Sequence, residues 1–289
     1  MTAFDVLADF ACNTGEGPLW HPDLDAVFWL DIPAGKIFRW DSFEGTATLV
    51  REGEPVGGMT LQPDGRLALF GARGNVTLWS VTGETETVIE SLPDELESRF
   101  NDVIADPAGR VFCGTMPTPH RLGRLYRLDP DHSIRVVLED VGCSNGMGFT
   151  PDGTRMYFTD SGRGTIDLFD YDVETGELSN RRPFVQVSGQ GEGVPDGMTV
   201  DAEGNVWSTR WDGSCLVRYS PEGVETARFS FPIRKISCVL FGGAGYDQAF
   251  ITTAGGGQKD VDGEDAGALL RITDFGFPVR GVAEFRSRL

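Results

Sequence analysis

The chain of 289 residues is predicted to be all-β, a six-bladed propeller. Three observations carry this. One short pattern, a strand, a tight turn rich in Pro, Asp and Gly, then a second apolar strand, occurs six times. The turn markers are Pro22, Pro63, Pro107, Pro151, Ala202 and Ala244, with gaps of 41, 44, 44, 51 and 42 residues. A strand-built period of that size is the signature of propeller blades. Downstream of each pair lies a third segment that alternates polar and apolar residues, as a half-buried strand does. No stretch of a dozen residues shows helical periodicity.

The paired strands read, in order, Leu19 to Ile32, Leu61 to Gly71, Ala105 to Thr115, Phe149 to Ser161, Val200 to Arg210 and Phe241 to Thr253. The third strands are Gly35 to Asp41, Asn75 to Val81, Gly123 to Asp129, Thr165 to Asp172, Ser214 to Ser220 and Gly267 to Thr273. Outer fourth strands are read at Arg135 to Asp140 and Arg181 to Val187, and Pro93 to Arg99 forms one helical turn at most. An open propeller would leave raw sheet edges. The segments Phe4 to Phe10 and Val282 to Phe285 are therefore expected to share the last blade and close a single domain over residues 1–289. The long connections are Pro117 to Gly123, Ser188 to Pro195 and Ala254 to Asp265. The first two flank the expected mouth, and the third, glycine-rich and acidic, reads as mobile.

Six residues before each marker stand Glu16, Gly57, Asn101, Asn145, Asp196 and Cys238. Four of the six carry oxygen-bearing polar side chains, and blade symmetry brings them to one mouth of the central channel. The next position is mostly glycine, suited to close approach of neighbouring strands. Asp102 falls at this second position and is read as a structural hydrogen-bonding residue. Glu16, Asn145 and Asp196, with Asn101 beside them, offer hard oxygen donors to one divalent cation: Ca2+ first, with Mg2+, Mn2+ and Zn2+ open. A lone Asn or Asp at a strand start is usually a local backbone cap. Four of them at one repeat position weigh against that.

Composition narrows the classes further. The net charge is -19, from 44 acids against 25 bases, and only three bases are lysines. Nucleic acid and anionic membranes are poor partners for such a chain. The acid excess fits adaptation to high salt as well as it fits an ordinary acidic protein. Five scattered cysteines without CxxC spacing read as reduced thiols of a cytoplasmic protein. The N-terminus lacks a signal-peptide pattern, and no apolar run approaches a membrane span. No GxSxG elbow, HExxH or phosphate-binding loop is present. His21 and His132 read as solvated turn residues. His120, on the loop beside the mouth, is read as a substrate contact.

The motifs GEGPLW (Gly15 to Trp20), RFNDVIADPAGRVFCGTM (Arg99 to Met116), SNGMGFTPDG (Ser144 to Gly153), PDGMTVDAEGNVW (Pro195 to Trp207) and FGGAGYDQAFITTA (Phe241 to Ala254) resemble the regucalcin, gluconolactonase and luciferin-regenerating-enzyme family. The resemblance spans the chain blade by blade. It implies a six-bladed propeller with one divalent metal in the channel and hydrolysis of a small sugar lactone. It places the metal-binding Glu, Asn and Asp on Glu16, Asn145 and Asp196, and substrate contacts on Arg99 and Asn101. Asp196 is then also the expected general base. A metal-binding propeller without turnover, or an aryl-ester or organophosphate hydrolase on the same scaffold, are the alternatives. Two departures concern the rim: STRWDGS after Trp207 brings Arg210 where small residues are usual, and the Pro117 to Gly123 loop is short. A closed monomer is the default assembly.

Overall fold

The computed structural model describes residues 2–289. Six four-stranded antiparallel sheets are arranged as the blades of a propeller, with each innermost strand beside the channel. The innermost strands are Gly15–His21, Val56–Leu61, Phe100–Ala105, Ser144–Phe149, Val194–Val200 and Ile236–Gly242. Among the described residues the only α-helix is the short Lys259–Asp262.

The hydrophobic core lies between blades. Leu19, Phe28 and Leu30 of the first blade pack against Met59, Leu67 and Leu69 of the second. Comparable clusters fill the following junctions. Trp20, Trp29 and Trp40 then join the first blade to Leu240, Phe250 and Leu269 of the last. Each blade thus buries both faces, which explains why its second strand is buried along almost its whole length.

Closure differs from the sequence expectation in one half. The strand Asp5–Asp9 does complete the last blade, but it pairs with Ala268–Ile272, Asp5 opposite Arg271 and Asp9 opposite Ala268. Val282 to Phe285 is not a strand of that blade. The edge of Ala268–Ile272 is already taken, so the tail crosses the channel end remote from the starts of the inner strands. Ala202 N–H donates to Arg280 O (2.8 Å), Gly281 N–H to Tyr246 O (2.7 Å), Ser287 N–H to Leu61 O (2.9 Å) and Arg288 N–H to Gly109 O (2.9 Å). Phe285 meets Phe149 edge-on at 6.1 Å.

Two smaller expectations also change. The loop after Ala254 is built rather than loose: a 3-10 turn at Gly256–Gln258 leads into Lys259–Asp262, and Asp262 is buried. His21 is buried, its Nε2 2.9 Å from Gly65 O, and it packs on Phe28. It braces adjacent blades instead of facing water, whereas His132 is exposed.

Candidate active site at the channel mouth

Every innermost strand breaks register at its start. The shifts fall between Glu16 and Leu19, Val56 and Gly58, Phe100 and Val103, Ser144 and Met147, Pro195 and Met198, and Ile236 and Cys238. Between the pairs Phe100–Thr115 and Val103–Cys113, both Asn101 and Asp102 oppose the single residue Gly114. Such a bulge re-aims side chains and bends the strand. Six of them at one level turn the strand starts toward the axis.

Glycines then let the strands converge. A Cβ on Gly146 would sit 2.4 Å from the Met198 nitrogen, and one on Gly197 would meet Cys238 Sγ. The channel is therefore pinched directly below the polar ring, and the ring becomes the floor of a cavity of about 400 Å³. Glu16, Asn101, Asn145 and Asp196 all line that floor, as the repeat register required, and Arg99 joins them. Thr14, Ile32, Met116, Cys143, Val194 and Trp211 contribute to the walls. Cys238 and Asp102 lie lower, in the narrow space beneath.

The floor is organised by one run of hydrogen bonds that all donate in the same direction. Arg99 donates to Asn101 Oδ1 (2.6 Å), and Asn101 Nδ2 donates to Asn145 Oδ1 (2.7 Å). Asn145 Nδ2 donates to Ser161 Oγ (2.7 Å), whose hydroxyl donates to the carbonyl of Pro195 (2.5 Å), the residue before Asp196. The cationic end fixes the orientation of both amides, so each keeps its oxygen on the Arg99 side of its nitrogen. Ser161 was missed in the sequence. It directly follows the second strand of its blade, Arg155–Asp160, outside the register that found the others.

Buried carboxylates set the electrostatics of the floor. Glu16 is held well above the ordinary carboxylate range by burial first, then by the charges of Asp196 and Asp102. The Gly17 N–H, 2.9 Å from Glu16 Oε2, offsets only part of this. Asp196 is raised by burial and by Asp102. Asp102 is pushed up to about 7 by burial, against the pull of Arg99. Its carboxylate accepts no hydrogen bond from the described residues, which corrects the structural role expected for it. Burial lowers Arg99 from its usual range. No three His, Cys, Asp or Glu side chains among the described residues are grouped to hold a metal. A cation here would therefore need the Asn145 amide with Glu16 and Asp196. Hard oxygen donors carrying two mutually repelling buried carboxylates suit a divalent ion.

His120 does not share this cavity. It lies in a separate surface cleft with Asp94, Leu96, Glu97 and Thr118, 79% exposed, its Nε2 4.0 Å from Glu97. Arg121 turns the loop away from the mouth by pairing with the buried Glu95.

The fold and site together define a six-bladed propeller with an oxygen-donor ring at one mouth of its channel. Residues 14–255 match the SMP-30/Gluconolactonase/LRE-like region, and the chain belongs to that family. It is 44% identical to pentonolactonase XacC of Haloferax volcanii, over 97% of each chain. It is 34% identical to human regucalcin, over 95% of this chain and 94% of that one. The solved luciferin-regenerating enzyme superposes with a TM-score of 0.88 at 25% identity, covering 99% of this chain and all of the other.

Proposed function

We propose that the chain hydrolyses a sugar lactone, an aldono-1,4- or 1,5-lactone such as glucono-, xylono- or arabinolactone, to the aldonic acid. The observation that carries this is the meeting of Glu16, Asn145, Asp196, Arg99 and Asn101 on one cavity floor. The chain's 44% identity to a pentonolactonase supports it.

Glu16, Asn145 and Asp196 would hold one divalent cation, Ca2+ before Mg2+, Mn2+ or Zn2+ on the strength of an all-oxygen set. When bound, such an ion polarises the lactone carbonyl and acidifies water. The chain's own residues do the rest. Arg99, the one basic side chain among the described residues lining the cavity, donates to the lactone's ring oxygen or hydroxyls, and Asn101, whose two amide N–H already donate to Ser144 O and Asn145 Oδ1, accepts from a lactone hydroxyl through its Oδ1. Together they fix the ring against the floor. Asp196, beside the expected path of water, takes its proton as the water oxygen bonds to the carbonyl carbon. The carbonyl carbon–ring oxygen bond then breaks, and the ring oxygen leaves as a hydroxyl after recovering that proton. The product carries a new carboxylate, which a chain of charge -19 repels.

The five free thiols fit a reducing cytoplasm. Among the described residues no helix is long and apolar enough to cross a membrane. The first and last blades close the ring within one chain, and a monomer is the expected state.

The test uses Glu16→Ala and Asp196→Ala. Each should lose bound divalent cation and aldonolactone turnover together, by at least about a hundredfold in kcat/KM. Full activity of either variant in chelator would contradict the reading. The apolar walls formed by Ile32, Met116, Val194 and Trp211 favour aryl esters as a second substrate class. An aryl acetate turned over faster than every aldonolactone would promote that reading.

A further inference from the structure

Five of the six tryptophans are core residues: Trp20, Trp29, Trp40, Trp79 and Trp207 are each at most 5% exposed. Trp211 alone is not buried, and it stands in the cavity wall above the polar floor. A large indole left partly in water on a cavity wall is unexplained by packing. It is also held in place from behind. Lys235 Nζ lies 5.6 Å from the ring centroid and does not line the cavity. Its ammonium is pinned at 2.7 Å by Asp262, which is 1% exposed on the short helix Lys259–Asp262. The next residue on each side is clamped too, Arg234 to Asp212 at 2.9 Å. Arg210, the unusual residue of this segment, is fully buried and donates to Ser208 Oγ (2.7 Å) and to the Tyr219 hydroxyl. Trp211 is therefore a preorganised surface, with a cation behind it and the cavity before it.

We propose that Trp211 is the residue that selects cyclic substrates, by stacking the indole on the C–H face of the lactone ring. This rests on the hydrolytic reading above and deepens it. A sugar lactone has a polar rim and a flat, weakly polar C–H face. Indole is the side chain that covers such a face while tolerating partial hydration. Val194, paired with Trp211 across the strands, extends the apolar wall. With the C–H face against the indole, the carbonyl and hydroxyl edge is free for Arg99 and Asn101 on the floor. Ring opening destroys the flat face, so the acyclic product loses this contact and leaves.

The experiment reads tryptophan emission and steady-state kinetics on the full chain. A 1,5-anhydrohexitol, a ring polyol without a carbonyl, should change wild-type emission saturably, while the acyclic hexitol should not. Trp211→Phe should abolish that change. For aldonolactones Trp211→Ala should raise KM about tenfold with kcat within threefold, and Trp211→Phe should recover most of the loss. Lys235→Met should raise KM by a smaller factor, through a looser indole. An unchanged KM in Trp211→Ala, or wild-type emission that ignores the ring polyol, overturns the proposal. If Trp211→Ala does not fold, Trp211→Phe kinetics and wild-type emission decide alone. A wild type that turns over no aldonolactone sinks the hydrolytic reading instead, and the emission titration still judges the indole.

Discussion

Asp102 is a buried carboxylate that accepts no hydrogen bond from the described residues and sits beneath two others. In water an aspartate ionises near 4, whereas burial pushes Asp102 up to about 7. A raised carboxylate value means the folded chain binds a proton more tightly than the unfolded one. Its stabilising contribution is complete below the unfolded value of about 4 and is lost as pH rises through about 7. In chelated protein, Asp102→Asn should therefore raise Tm at pH 8 and change it little at pH 4.5. Thermal unfolding at the two pH values checks this, and an equal shift at both would contradict it. The register of the repeat made Glu16, Asn101, Asn145 and Asp196 legible in the sequence, because blade symmetry converts a fixed offset into a shared position. Arg99 came from the family motif. Ser161 and Trp211 stayed hidden, since Trp211 ends and Ser161 directly follows the second strand of its blade, where the turn marker counts nothing. His120 was misplaced because loop adjacency in sequence does not give direction; the Arg121–Glu95 pair decides that.

At the scale of elements, the six bulges and the glycine-lined pinch position the site. The bulges raise the polar residues to one level, and the glycines close the channel below them. The repeat showed the glycines but not the bulges, because a bulge is a relation between two strands. The tail was misread for a similar reason. Val282 to Phe285 has strand-like composition, yet the edge it would need is filled by Asp5–Asp9. Composition reports what a segment can do, and the competition for an edge decides what it does. At Gly281 the tail presses on the last blade: a Cβ there would overlap the Phe241 side chain. Gly281→Val should destabilise by about 1–3 kcal/mol through overpacking. At saturating cation it should leave KM for aldonolactones unchanged, since the tail lies at the other end of the channel. Denaturant unfolding beside kinetics tests both halves, and an undisturbed unfolding midpoint would mean the tail is not seated as described.

For the whole molecule, charge and closure act in opposite directions. Six inter-blade clusters, including the one joining the last blade to the first, make the ring continuous. A net charge of -19 strains it by self-repulsion. Most ion pairs involve partly exposed side chains and contribute little each. Screening should then relieve more repulsion than attraction, and Tm should rise between 50 mM and molar NaCl. A fall would show that the surface pairs outweigh the excess charge.

The account turns on two carboxylates and an amide, drawn from three separate blades, acting on one small molecule through one bound ion. Metal content and aldonolactone turnover should be followed together while chelated wild-type protein is reloaded with Ca2+, Mg2+, Mn2+ or Zn2+ in turn. The account predicts one ion per chain and turnover that returns in proportion to the site filled. Turnover that persists at zero bound ion, or a filled site with none, would contradict it.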